Sequence, residues 1–330
     1  MTSSATSPPF ALGTFRQDGN AAFTGIVLGD DVIPLGGLKA GSAALKNQSV
    51  FELLQTWEQV FPQLQAAASS NAPRVPLRSL ATLPPHMPRQ ILCTGANYRK
   101  HVIDLMVDQK IDIGASDLPE EERRTLAAKM MDERIAKGEP YSFSKLPTAV
   151  TGPRDPIVLG EATEIDWELE LAVVMGRRTR NVSRADALKH VAGFTIINDI
   201  TDRSLVLRTD LKSIGTDWLR AKSRPTFAPL GPFIVPREFI PDPSNLRITL
   251  KLNGKVMQDD STADMIFDVQ RQIEYISRYA QLEPGDVIAT GSPAGNGTHW
   301  KRFLRPGDVV ESTIEKLGEQ RNPCVAADER

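Results

Sequence analysis

The chain has 330 residues, 41% of them hydrophobic and 24% charged. That is ordinary globular composition, which excludes a disordered chain and suffices for one large domain or a large one plus a small one. Lys and Arg number 39 against 41 Asp and Glu, a formal net charge of −2, so no basic excess points to nucleic acid or anionic lipid. No uncharged apolar run is long enough to span a bilayer, and no basic segment followed by an apolar stretch reads as a signal peptide. The two cysteines, Cys93 and Cys324, are too few for a disulfide framework or a Cys-type zinc site. The expectation is a cytoplasmic protein.

In chain order, residues 1–9 read as a flexible tail and 10–85 as a small N-terminal α/β domain. Thr24-Gly25-Ile26-Val27-Leu28-Gly29 suggests hairpin strands. Phe51, Leu53, Leu54, Trp57, Val60, Phe61 and Leu64 recur at helical spacing. Ala72 to Arg89 holds five prolines and reads as a linker. A β-rich catalytic domain is expected over 86–318, with a C-terminal tail at 319–330. Within it Ile91–Gly95 reads as a buried strand. Glu120–Lys137 reads as an exposed charged helix, capped by Asp117 with Glu120 three positions on. Residues 266–280 are the one clear late helix. Pro284-Gly285-Asp286-Val287 and Pro306-Gly307-Asp308-Val309 repeat one turn-then-strand pattern. The fold class predicted is α+β, not an alternating βαβ array.

The sharpest chemical feature is Asp166-Trp167-Glu168-Leu169-Glu170, leading into the apolar run Leu171–Met175. On a strand, Asp166, Glu168 and Glu170 share one face. Asp199 stands where a second apolar strand, 193–198, would emerge. Two readings stand at this level. One is an exposed acidic edge with an ordinary Asx turn. The other is three oxygen ligands for a hard cation such as Mg²⁺, Mn²⁺ or Ca²⁺. The histidines (86, 101, 190, 299) lack HxH or HxxxH spacing, against a zinc-protease or two-His iron site. If helical, Asp104 faces His101 and can orient it as a general base; a surface histidine is the plainer alternative. Lys222, before the turns at 229–232, is either solvated or in a pocket. The Gly-rich loop 289–297 lacks the Walker pattern, and no GxSxG elbow occurs.

These stretches occur in one order: Asn97-Tyr98-Arg99-Lys100-His101, Lys145-Leu146-Pro147-Thr148-Ala149, Glu168-Leu169-Glu170-Leu171, Asn198-Asp199-Ile200-Thr201-Asp202-Arg203, Lys222-Ser223, Leu230-Gly231-Pro232, Gln258-Asp259 and Thr290-Gly291-Ser292-Pro293-Ala294-Gly295. The ordered set resembles the fumarylacetoacetate hydrolase family, in its bacterial acylpyruvate hydrolase-like and 2-oxohepta-3-ene-1,7-dioate hydratase-isomerase-like branch. The resemblance implies a mixed β-sandwich or roll. It puts metal ligands at Glu168, Glu170 and Asp199, and catalytic groups at His101, Asp104 and Lys222. Substrate contacts fall at Tyr98, Arg203, Thr226, Gln258, Thr290, Gly291 and Ser292. It further implies one divalent cation (Mg²⁺ or Mn²⁺, Ca²⁺ admissible), no organic cofactor and a homodimer.

Three positions depart from the family pattern. Asp104 stands where glutamate is usual, Val206 where many members carry glutamine, and the lid region 104–140 is long. The expected function is metal-dependent hydrolysis of a C–C bond in a β-diketo acid such as an acylpyruvate or fumarylpyruvate, with aromatic-compound catabolism as the setting. The alternatives are an oxaloacetate-type decarboxylase, a dienoate isomerase or hydratase, and a non-catalytic binding homologue.

Overall fold

The computed structural model describes residues 8–17, 19–38, 44–109, 118–211, 213 and 215–327. The chain opens with a meander of β1 (Ala11–Arg16), β2 (Phe23–Leu28) and β3 (Asp31–Pro34). The helical stretch that follows is divided into α1 (Val50–Gln55) and α2 (Trp57–Ala68). Ser49 and Glu52 form a reciprocal capping box at the start of α1. Thr56 both ends α1, its N–H on the Leu53 carbonyl, and starts α2, its carbonyl accepting from Gln59 and Val60. The proline-rich stretch is no free linker. It carries β4 (Val75–Pro76) and β5 (Ala81–Leu83), which pair with β3 and β1.

β6 (Ile91–Gly95) leads to α3 (Arg99–Gln109), and α4 (Glu120–Lys137) leads to β7 (Tyr141–Lys145). Asp117, expected to cap α4, lies outside the described residues; Pro119 occupies the cap position. Glu120–Glu122 in the first turn of α4 and Arg134 and Lys137 in the last complement the helix dipole. The helix is less exposed than its charge suggests. Ala127 and Met131, one turn apart, pack on Val102, Ile103 and Met106 of α3 and on Phe267, a small core of its own.

The rest of the chain is β8 (Val150–Thr151), β9 (Ile157–Val158), β10 (Ile165–Asp166), β11 (Leu169–Met175), β12 (Val191–Asn198), β13 (Thr201–Asp202), α5 (Trp218–Lys222), β14 (Ala228–Pro236), β15 (Arg247–Leu252), β16 (Lys255–Ser261), α6 (Val269–Tyr279), β17 (Val287–Ala289), α7 (Gly297–Trp300), β18 (Val309–Ile314) and β19 (Gly318–Val325). The fold is α+β and strand-rich, its sheets open. The largest runs β4-β3-β2-β1-β14-β12-β11-β17-β6-β7. The N-terminal strands therefore continue the large sheet through the β1–β14 pairing, and one core runs from Phe10 to Cys324. A second sheet orders β16-β15-β18-β19-β9. The predicted C-terminal tail is thus corrected: β19 pairs antiparallel with β18 and parallel with β9. No helix among the described residues is long and apolar enough to cross a membrane.

β11 and β12 are buried along their whole length, as their near-continuous apolar runs require. β11 is antiparallel to β12 and β17, and β17 is parallel to β6. The start of β11 therefore lies beside the ends of β12, β17 and β6. Glu170, Asp199, Gly291 and the turn into α3 all gather at that end of the sheet.

Candidate active site

The predicted single acidic strand is two strands. β10 pairs with β13 and β11 with β12, so Asp166 parts from Glu170 at Trp167–Glu168. Glu168, Glu170 and Asp199 converge. All three are buried, and one carboxylate oxygen from each lies within 4.8 Å of the others. The Asp199 N–H donates to the Glu168 carbonyl at 2.8 Å, and the Glu168 N–H to Asn198 Oδ1 at 2.9 Å, locking the two strand ends together.

Lys222 ends α5, capped by Asp217. Its Nζ donates to Glu168 Oε2 at 2.7 Å and to Asp199 Oδ2. It also lies 5.2 and 5.5 Å from the ring centroids of Phe143 and Trp218, which stack on each other. Lys222 is buried rather than solvated. Arg203 donates to Asp166 Oδ2 at 2.8 Å and to Glu168 Oε1 at 2.5 Å. Asp166 is held from the other side by the Gly297 N–H and the Thr298 hydroxyl.

The Gly-rich loop supplies the remaining contacts. The Gly291 N–H donates to Glu170 Oε2 at 2.6 Å. Gly291 has φ +97, and an added Cβ would stand 2.8 Å from Asn97 Cβ, so only glycine brings the backbone this close. Thr290 Oγ donates to the Leu171 carbonyl, while its own carbonyl accepts from Asn97 Nδ2. Gln258 Nε2 donates to Ser292 Oγ at 3.0 Å and to the Pro293 carbonyl at 2.8 Å. Tyr98 is buried, and among the described residues its hydroxyl has no partner. Thr226 differs: its hydroxyl accepts from the Val158 N–H, which anchors its own loop to β9. Val206 is half-buried and ends the short turn begun by Arg203.

His101 lies on the first turns of α3 and is 7% exposed. Asp104, one turn on, is occupied elsewhere: its Oδ1 accepts from Arg124 of α4 at 2.7 Å. Among the described residues no hydrogen bond joins Asp104 to His101.

The sequence matches the family model described as fumarylacetoacetate (FAA) hydrolase, C-terminal, over residues 90–325. The chain belongs to the fumarylacetoacetate hydrolase family. It is 34% identical over 282 residues to a mitochondrial oxaloacetate tautomerase of Bos taurus, covering 84% of this chain and 80% of the relative. It also superposes on the fumarylacetoacetate hydrolase of Exiguobacterium antarcticum, with TM-score 0.74 and 29% identity over 96% of this chain and 99% of that one. Against the maleylpyruvate hydrolase of Sphingobium sp. SYK-6, solved with manganese(II) and pyruvate, the TM-score is 0.72 at 26% identity, covering 96% and 99%.

Electrostatics sort the carboxylates of the cluster. Burial pushes Glu168 up, but the Lys222 and Arg203 cations outweigh it and hold the group at about 2. Burial and then the like charges of Asp199 and Glu168 push Glu170 well above the carboxylate range. Burial also disfavours the Lys222 ammonium, and Asp199 and Glu168 more than restore it. Two lysines and a shared arginine thus leave an all-oxygen cluster in which Glu170 has one backbone N–H and repelling neighbours. That donor chemistry fits a hard divalent cation, which Glu168, Glu170 and Asp199 would hold.

Three residues of the site were given no role by the sequence reading, although Lys145 heads one of its ordered stretches. Lys145, fully buried, donates to Asp199 Oδ1 at 2.6 Å and to the Ile200 carbonyl at 3.0 Å. Cys93 on β6 is buried; burial and then the charges of Asp199 and Glu170 push its thiol up. Phe143 forms the aromatic wall under Lys222. One signal was available: Tyr141, Phe143 and Lys145 alternate along a single strand face.

Two cavities matter for placement. The one of about 610 Å³ is lined by His101, Asp104 and the 294–303 segment. A larger one of about 1200 Å³, between the N-terminal hairpins and Phe233, contains none of the site residues.

Proposed function

We propose that this family member is a divalent-metal-dependent hydrolase that cleaves a C–C bond in a β-diketo acid of the acylpyruvate type. The observation that carries the reading is His101. Its buried ring feels the charge of Glu168 in the acidic cluster and also forms part of the wall of the 610 Å³ cavity. A substrate with its 2-oxo-carboxylate end at the cluster presents its distal carbonyl to that imidazole.

A cation at Glu168, Glu170 and Asp199, Mg²⁺ or Mn²⁺ with Ca²⁺ admissible, supplies Lewis acidity toward the 2-oxo acid. His101 takes a proton from water as the water oxygen bonds to the distal carbonyl carbon. The bond from that carbon to the adjacent CH₂ then breaks, its electron pair passing into the enolate of pyruvate. The Lys222 ammonium offsets the developing negative charge. The proton carried by His101 returns to the enolate carbon, giving pyruvate and a carboxylic acid that ionises to its carboxylate by releasing a proton to solvent. The same reading includes closure of the lid region, a homodimer and a cytoplasmic setting. The manganese and pyruvate in the Sphingobium maleylpyruvate hydrolase support it.

A second reading, keto–enol tautomerisation or decarboxylation of oxaloacetate, is favoured by Asp104. Its pairing with Arg124 leaves His101 without the carboxylate that would orient it for water activation, and the Bos taurus relative carries the tautomerase activity in its name. Acetylpyruvate, fumarylpyruvate and oxaloacetate, each with Mg²⁺, Mn²⁺ or EDTA, separate the readings when enol absorbance and pyruvate are followed together. Metal-dependent loss of an acylpyruvate with stoichiometric pyruvate supports the hydrolase. Faster keto–enol relaxation of oxaloacetate without pyruvate supports the tautomerase. Oxaloacetate loss with pyruvate, alone, supports the decarboxylase.

A further inference from the structure

The carboxylate one turn beyond His101 is held by a residue of another helix. His101 and Asp104 stand three apart on α3, a spacing that puts Cβ atoms about 5–6 Å from each other, and both line the cavity of about 610 Å³. Yet Asp104 Oδ1 accepts from Arg124 Nη1 of α4 at 2.7 Å, and among the described residues no hydrogen bond joins it to His101.

Arg124 is placed there by the way α4 runs back along α3. Arg99, at the start of α3, donates through Nε at 3.1 Å and Nη2 at 2.8 Å to Asp132 Oδ1. Arg134 donates to the Ala96 carbonyl at 3.0 Å, just ahead of α3, with its guanidinium over the Phe267 ring. Between the Arg99–Asp132 and Asp104–Arg124 pairs, Ala127 and Met131 pack on Val102, Ile103 and Met106. These contacts fix the register of the two helices, and that register brings the Arg124 guanidinium to Asp104. Glu120, one turn earlier on α4, adds a carboxylate 3.8 Å from Arg124. The Asp104 side chain is 23% exposed and that of Arg124 47%. A partly solvated pair of this kind shifts an equilibrium by no more than about fivefold.

A carboxylate on one ring nitrogen holds an imidazole in the tautomer and orientation that a general base needs, accepting the ring N–H without taking the proton. A ring without it still exchanges a proton with an enol carbon, whereas activating water requires one nitrogen aimed at the water. We propose that Arg124 is a positioning residue. By competing with His101 for Asp104 it limits attack by water, and so sets the balance of the site between hydrolysis and enol proton transfer. This rests on the function proposed above, in which His101 is the base that activates water.

The test follows pyruvate release from acetylpyruvate and fumarylpyruvate at saturating Mn²⁺. The proteins are the wild type, Arg124→Ala, Asp104→Asn and the double variant. Arg124→Ala puts a strong helix former at a half-exposed position and leaves the Arg99–Asp132 pair and the apolar contact in place. Its kcat is expected to rise about two- to fivefold, the range such an ion pair controls, with KM and Mn²⁺ affinity within about twofold of wild type. The double variant is expected to be no faster than Asp104→Asn, because the gain passes through the freed carboxylate. A general loosening of α4 would instead act alike with and without Asp104 and would move KM together with kcat. Wild-type turnover with no higher kcat in Arg124→Ala, or a gain that survives Asp104→Asn, overturns the proposal alone. No pyruvate from either substrate with any of the four proteins overturns the function proposed above along with it.

Discussion

The ammonium of Lys145 sits 2.6 Å from Oδ1 of Asp199, and neither side chain reaches solvent. Asp199 is thereby gripped on both oxygens, by Lys145 on one and Lys222 on the other. Removing one member of a buried pair strands its partner's charge. Lys145→Met is therefore expected to lower stability by about 3–5 kcal/mol and to loosen Asp199 as a ligand. Urea unfolding gives the first effect and Mn²⁺ titration the second; a variant unchanged in both would show the pair to be idle.

The acidic cluster makes a second prediction. Glu170→Gln removes the carboxylate whose one hydrogen-bond partner among the described residues is the Gly291 N–H. Outer-shell changes at metal sites already cost about 10–100-fold in affinity, so losing a ligand should cost more than about 100-fold for Mn²⁺. Because the charged form of Glu170 is disfavoured by burial and its neighbours, the metal-free variant should fold at least as stably as the wild type. Calorimetric titration and thermal unfolding check the two halves.

Gly291→Ala tests backbone approach. The residue has φ +97, with Asn97 Cβ 2.8 Å and the Thr94 carbonyl 3.1 Å from an added Cβ. Strain of this kind is worth about 1–3 kcal/mol. The shift also draws the N–H from Glu170, so melting temperature and metal affinity should fall together. A loss of stability with metal affinity intact would separate the loop from the cluster.

His86 supplies a pH dependence away from the site. It is buried, with Nε2–H donating to the Gly285 carbonyl at 2.7 Å and Nδ1 unpartnered. Burial holds its pKa at about 4, against 6.5 for the free group. Between those values the unfolded chain binds a proton that the folded chain does not. Stability is therefore intact above 6.5 and declines as pH falls toward 4, by about 3 kcal/mol for this residue. His101 shifts in the same direction for the same first reason, burial. The His86 share is read as the difference between wild type and His86→Gln in urea midpoints from about pH 7 to about pH 4.5. Identical slopes in the two proteins would contradict it.

Much of the site was legible because strand alternation and strand ends are local features. Glu168 and Glu170 precede the buried run of β11, and Asp199 ends β12, as the residue types and spacing indicated. What stayed hidden depends on contacts distant in the chain. Lys145 finds Asp199 across 54 residues. Asp104 turns to Arg124, on a helix whose length no family habit specifies. The tail reading of 319–330 failed because β19 buries polar residues. Gln320 donates to the carbonyls of Ile196, Pro229 and Gly231, and Asn322 to those of Gly152 and Asp155. A strand whose inward face is amide side chains donating to backbone carbonyls looks like solvent-exposed chain to any hydropathy pattern. The N-terminal strands were recognised, but β1 joins β14 more than two hundred residues away, which no local signal reports.

We propose that Glu168, Glu170 and Asp199 hold the cation on which C–C hydrolysis depends. The most direct measurement is bound Mn²⁺ per chain together with pyruvate release from fumarylpyruvate, for the wild type and Asp199→Asn, with and without EDTA. One Mn²⁺ per wild-type chain is expected, with pyruvate release that rises with its occupancy, and both are lost in EDTA and in the variant. Pyruvate release at the wild-type rate in EDTA, or from Asp199→Asn carrying no metal, would show that the cluster's cation is not required.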